Sequence, residues 1–138
     1  MSGVMSFSTG LRNDRSNAIL TRLEDGAGNA NIQFYTGTKP STGGAITDQV
    51  LLGTCQMPSP AGSVSGPTFT AGAISDDISA DATGTCTWCR VTSCQSAFVM
   101  DLDVTDTNGA GPCKLTSTSI IQGGKITIAS FTITEGNA

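Results

Sequence analysis

The sequence predicts a mainly β protein, a jelly-roll-like β-sandwich preceded by one N-terminal α-helix, and three observations carry that prediction. Charged residues make up 13% of the 138 positions, about half the usual share, while Gly, Ser and Thr are abundant, and Ser and Thr can face water from a pleated sheet without charge. Beyond residue 30 the apolar residues recur with a period of two. Turn signals interrupt that pattern about every ten residues, as short antiparallel strands require.

The length fits one domain, read as an arm and helix over 1–26 and a sandwich over 27–138. Ser8 or Thr9 can cap a helix, Leu11, Ala18, Ile19 and Leu23 recur on one side, and Gly26 can close it, so the spacing predicts a helix over about 10–24. Asn31–Thr36 (NIQFYT) then alternates Ile32 and Phe34 against Gln33 and Tyr35, a strand followed by the loop TGTKPSTGG. Val50–Gln56 is a second strand. Met57–Gly66 contains Pro58 and Pro60, which cannot donate to a ladder, so it reads as a loop or edge segment.

Further strands are expected near 68–74, 84–91, 97–104, 113–120 and 125–134. The clearest is AFVMDLDV, in which Phe98, Met100, Leu102 and Val104 alternate with Val99, Asp101 and Asp103. In KITIASFTIT the apolar parity switches between Ile128 and Phe131, which calls for a bulge near Ala129 and Ser130 or for cover on both faces. Gly123 and Gly124 predict a hairpin turn before it.

Composition narrows the chemistry. The net charge is −4 and the seven basic residues are scattered, whereas nucleic-acid binding needs clustered cations, so no nucleic-acid partner is expected. No apolar run approaches the ~18 residues of a membrane span, and the start MSGVMSFSTG lacks the layout of a signal peptide. No membrane partner is expected, and the chain reads as made in the cytoplasm. Histidine is absent, which removes the usual general base and every Ser-His or Cys-His nucleophile pair; no catalytic residue and no cofactor is expected.

The stretch GTCTWCRVTSC holds Cys86, Cys89 and Cys94 around the single tryptophan. With β-formers throughout and no Gly or Pro between Cys86 and Cys89, it reads as one strand, with Cys86 and Trp88 on one face and Cys89 on the other. The five cysteines then act as small hydrophobes in a reducing compartment. A disulfide involving Cys89 and Cys94, or Cys55 or Cys113, is the alternative, and a zinc site lacks its second Cys-x-x-Cys. Asp101, Asp103 and Asp106, followed by Asn108 and Gly109, supply oxygen at a density similar to calcium loops but without the closing glutamate. Aspartates that end strands and start turns are the plainer reading, also for Asp76, Asp77 and Asp81.

Taken together, FSTGLRNDRSNAIL (7–20), IQFYTGTKPSTGG (32–44), AISDDISADATGTCTWCRV (73–91), SAFVMDLDV (96–104) and STSIIQGGKITIASFTITEGN (117–137) resemble a family of short structural proteins of tailed-bacteriophage and prophage virions. The similarity runs in order over most of the chain, and departs from the family in its cysteines around Trp88. It implies a virion component of the capsid cement or decoration type, docked on the major capsid protein lattice or another virion protein and self-associated as a dimer or trimer. A tail, collar or baseplate component, or a glycan-binding β-sandwich module, is the alternative. Partner contacts are expected from the arm and helix (Phe7, Arg12, Arg15), the loop after the first strand (Tyr35, Lys39, Pro40), the proline segment (Pro58, Pro60) and the C-terminal tail.

Overall fold

A computed structural model describes residues 7–25 and 28–134 and shows a mainly β protein with one helix and a large curled sheet. Helix α1 spans Thr9–Leu23, and the strands are β1 (Asn31–Tyr35), β2 (Leu51–Gln56), β3 (Gly62–Ser65), β4 (Thr68–Ala71), β5 (Gly84–Thr85), β6 (Trp88–Thr92), β7 (Phe98–Asp106), β8 (Cys113–Leu115), β9 (Ser119–Ile120) and β10 (Ile128–Thr134). Eight of them form one sheet in the order β2-β1-β6-β7-β8-β10-β4-β3, and β5 and β9 pair separately. All ladders are antiparallel except β7 with β8.

Ser8 starts the helix as expected, its hydroxyl accepting from the Leu11 N–H at 3.1 Å. The helix belongs to the body of the protein: Leu23 lies fully inside the core, and the Ser16 hydroxyl donates to the Pro67 carbonyl at 2.6 Å. It runs beside the β3 end of the sheet, with Glu24 accepting from the Ala61 N–H at the other end of that strand, so the helix shields an edge that would otherwise be free.

The other end of the sheet is shielded by chain. Gln56 accepts from the Ser75 N–H at 3.0 Å and Leu52 from the Asp81 N–H at 2.7 Å. Asp77 sits between them: its carboxylate accepts from the Thr54 N–H at 2.9 Å and from the Ser79 N–H at 3.0 Å, while its backbone exchanges two bonds with Ile126, just before β10. Segment 75–81 therefore ties the first strand in the sheet order to the stretch leading into the sixth. The core lies inside the curl, where Phe34, Ile32, Leu52, Phe69, Leu115 and Ile126 are almost fully buried.

Four strands differ from expectation. The proline segment does contain a strand, β3, which pairs with β4 through a turn at Gly66 (φ +59) and Pro67. The stretch expected as one strand over 84–91 is two, because the chain breaks step at Cys86 and Thr87, and 113–120 is likewise divided into β8 and β9. The fourth, expected from Lys125, begins only at Ile128. The bulge near Ala129 is present: Ile128 pairs with Leu115 and Ser130 with Lys114, leaving Ala129 as the extra residue.

Gly53 shows how tightly the tie is built. A Cβ placed there would lie 2.4 Å from an Asp77 oxygen and 2.6 Å from the Ile126 Cδ1. Gly53→Ala is expected to lower the unfolding free energy by ~1–3 kcal/mol, whereas Gly10→Ala, at a helical position with nothing within 4 Å, should raise it by about 0.5 kcal/mol. Urea titration of both variants measures the contrast.

Candidate functional site

The outer face of β1, β6 and β7 concentrates the side chains that sequence reasoning singled out. Tyr35 and Trp88 are register partners across β1 and β6, and their rings stack with centroids 4.7 Å apart. Arg90, the next residue on that face of β6, lies over the Trp88 ring at 5.5 Å and over the Phe98 ring at 5.2 Å. Its Nε donates to Asp101 Oδ1 at 2.9 Å and its Nη2 to Asp101 Oδ2 at 3.0 Å. Only 12% of the Arg90 side chain and 6% of that of Asp101 meet solvent. The two-pronged bond to Asp101 holds the Arg90 guanidinium charged, above its ordinary range.

Loop 36–50 folds over this face and is fastened to it. The Trp88 indole N–H donates to the Thr36 carbonyl at 3.0 Å, the Thr87 hydroxyl to Gly37 at 2.6 Å, and Arg90 Nη2 to Gly44 at 2.9 Å. Lys39 adds an exposed ion pair with Asp103 at 3.1 Å. Tyr35, expected as a contact residue, is buried at 7% exposure: stacking on Trp88 satisfies its ring, and that takes it out of a partner's reach. Lys39 is exposed beside a half-buried Pro40, so this loop presents its tip outward. Pro58 is half-buried and Pro60 exposed, and the Phe7 ring lies under the Arg15 guanidinium at 4.9 Å on a helix that also carries Arg12.

The aspartates are spread among separate tasks. Asp101 serves Arg90, Asp103 serves Lys39, and Asp106 accepts from the Asn108 N–H at 2.9 Å in the turn after β7. Asp76 pairs with Lys125 at 3.0 Å and Asp77 caps backbone N–H groups. Among the described residues no group of three or more His, Cys, Asp or Glu side chains is placed to hold a metal ion, and no helix is long and apolar enough to cross a membrane.

All five cysteines carry free thiols. Cys89 faces the core, and Cys94 lies past the end of β6, where its thiol donates to the Leu23 carbonyl at 3.0 Å and the Gly28 carbonyl at 3.2 Å; the strand carries the two apart, so the thiols are free as expected and the alternative of a bridge between them is not formed. The break at Cys86 and Thr87 also overturns the expected two-faced arrangement. Cys86 turns inward with Cys89, and both are buried with Cys55 and Cys113. Burial pushes the Cys55 and Cys86 thiols from 9.0 up to about 12, and the contact with Cys113, together with burial, raises Cys89. These four are apolar fillers, inert at neutral pH.

Two exposed apolar residues escaped the sequence reading. Ile78 is 78% exposed and Ile121 67% exposed, on turns held together where Ala80 bonds with Gly123 and Gly124, each at 2.8 Å. An isoleucine inside SDDISA reads as a turn residue, and nothing local marks its display.

Asp101→Asn should cost ~3–5 kcal/mol in urea unfolding, because it strands the buried Arg90 charge, and Arg90→Met with Asp101→Leu should recover most of the loss. Thiol labelling of the folded protein at pH 8 should reach no more than Cys94, with all five reacting after unfolding. Because folding raises the Cys55 and Cys86 values, the folded state holds protons that the unfolded state has released above pH 9.0, so stability should fall as pH rises from there toward about 12. Comparison of the chain with protein-family models, curated proteins and solved structures finds no match.

Proposed function

We propose that this chain is a structural virion protein that docks on the major capsid protein lattice of a tailed phage and reinforces the head. The observation that carries this reading is the exposure of Ile78 and Ile121, large apolar side chains on two turns bonded to each other through Ala80, Gly123 and Gly124; contiguous exposed apolar surface marks a protein contact site. The order of sequence features resembling phage structural proteins supports it. So does the employment of Arg90, Asp101, Asp77 and the four inner thiols in holding the fold. On this reading the curled sheet acts as a jelly-roll-like sandwich body, and small contacts gain strength through repetition over a symmetric lattice.

A tail, collar or baseplate position is separated from this by counting. Purified virions should carry the protein at a copy number set by capsid symmetry, and a dozen or fewer copies per particle would place it elsewhere. Ile78→Ser with Ile121→Ser should lower head occupancy at least tenfold while leaving urea stability within ~0.5 kcal/mol, as exposed substitutions usually do.

A further inference from the structure

Strand β7 carries an internal stretch of ladder that has no neighbour on one side among the described residues. Strand β7 pairs with β6 along Phe98–Asp103, but β8 joins its other side only at Val104. The Val104 N–H donates to Thr87 on the β6 side at 3.1 Å. Backbone groups alternate along a strand, so those of Asp101 and Asp103 face the β8 side. Among the described residues the Asp101 backbone N–H and C=O have no hydrogen-bond partner there. The two ends of the sheet order, by contrast, are covered by α1 and by segment 75–81.

Two hollows lie beside the first half of β7 and share Phe98 and Val99. One, of about 390 Å³, is lined also by Arg22, Asp25, Ser93 and Ala97. The other, of about 340 Å³, lies between β7 and the loop tip at Lys39, Pro40 and Thr42. An added strand turns alternate side chains to opposite faces, which matches a backbone edge flanked by hollows.

We propose that this edge accepts, as an added β-strand, the segment Met1–Ser6 of a second copy of the chain. MSGVMS has no charged side chain, so laying it against the edge desolvates no ionic side chain, and Val4 and Met5 offer apolar groups to opposite faces. The chain's own segment is badly placed. It joins the body at Phe7, before the first turn of α1, whereas the hollow shares Arg22 and Asp25 with the far end of that helix. Fifteen helical residues span ~22 Å, and six residues even fully extended reach at most ~22 Å, which leaves no length over to lie along the edge as a strand. Strand addition draws its affinity from main-chain bonds and its specificity from alternate side chains. This interface is independent of docking on a capsid and is tested on the isolated protein.

Amide hydrogen exchange at Asp101, measured at low and high protein concentration, reads the edge directly. The full chain should show protection at Asp101 that rises at least tenfold with concentration, together with an oligomer by sedimentation. Deleting residues 1–6, or placing Val4→Pro with Met5→Pro in the same segment, should remove both while leaving the urea midpoint unchanged. Protection that is independent of concentration would put the chain's own segment on the edge and overturn the proposal. So would a full chain that stays monomeric throughout, or a truncated chain that still associates.

Discussion

Every open sheet must dispose of its edges, and here the disposal of the β2 edge is the constraint on which the rest depends. Segment 75–81 supplies N–H groups to Gln56 and Leu52 on one side and, through Asp77 and Ala80, meets Ile126, Gly123 and Gly124 on the other. Between those two bonds the Asp77 carboxylate meets the Thr54 N–H, and it fits because Gly53 has no side chain. Ile126 is buried against this junction, so polar closure and apolar core are made by the same residues. An unmet N–H at Thr54 would cost ~1–3 kcal/mol, a large share of the ~5–15 kcal/mol that holds a domain folded.

The outer face of β6 solves a second problem, that of a long loop. Loop 36–50 has little apolar matter of its own, and its ordering rests on donors that β6 holds out to it: the Trp88 indole, the Thr87 hydroxyl and the Arg90 guanidinium. Burying the arginine would be costly without Asp101 directly across on β7, which returns two charge-assisted bonds. The acidic run DLDVTD thus takes its character from the neighbouring strand and loop: Asp101 and Asp103 point outward because they alternate with Met100 and Leu102, and each meets a cation.

What was legible in the sequence follows from how local each cause is. The Ser8 cap, the alternation from Met100 to Val104 and the parity switch at Ala129 are properties of a few neighbouring residues, and all three were readable; Phe98, expected on the same face as Met100, instead lies exposed beside Arg90, because β7 shifts register between the two. Strand β3 was obscured by Pro58 and Pro60, although its own residues, GSVS, lie beyond both prolines. The inward turn of Cys86 was invisible because it comes from a change of partners: Cys86 donates its N–H to Thr118 near β9, Thr87 to Tyr35 of β1. A chain that switches sheets between two residues resets its alternation. The parallel β7–β8 pair and the loop over β6 were hidden for the same reason, since both rest on contacts between distant segments. The site fared less well than the fold. Tyr35, Lys39 and the aspartates were singled out as separate candidates, and the structure gathers Tyr35, Lys39, Asp101 and Asp103 on one face, whereas Ile78 and Ile121 carry no local mark.

Segment 75–81 and the displayed isoleucines are one construction. Ile78 follows Asp77 directly, and Ile121 opens the turn whose Gly123 and Gly124 bond to Ala80. The bonds that close the β2 edge therefore also fix the distance between the two exposed side chains. Local opening of segment 75–81 would scatter them, and a partner that binds them together binds only the closed form. By mass action such a partner stabilises the closed sheet by RT ln(1 + [L]/Kd), so on the proposed reading a chain seated on a lattice is harder to unfold than one in solution. The benefit runs both ways: a reinforcing subunit is itself reinforced, through hydrogen bonds that belong to its fold rather than to the contact.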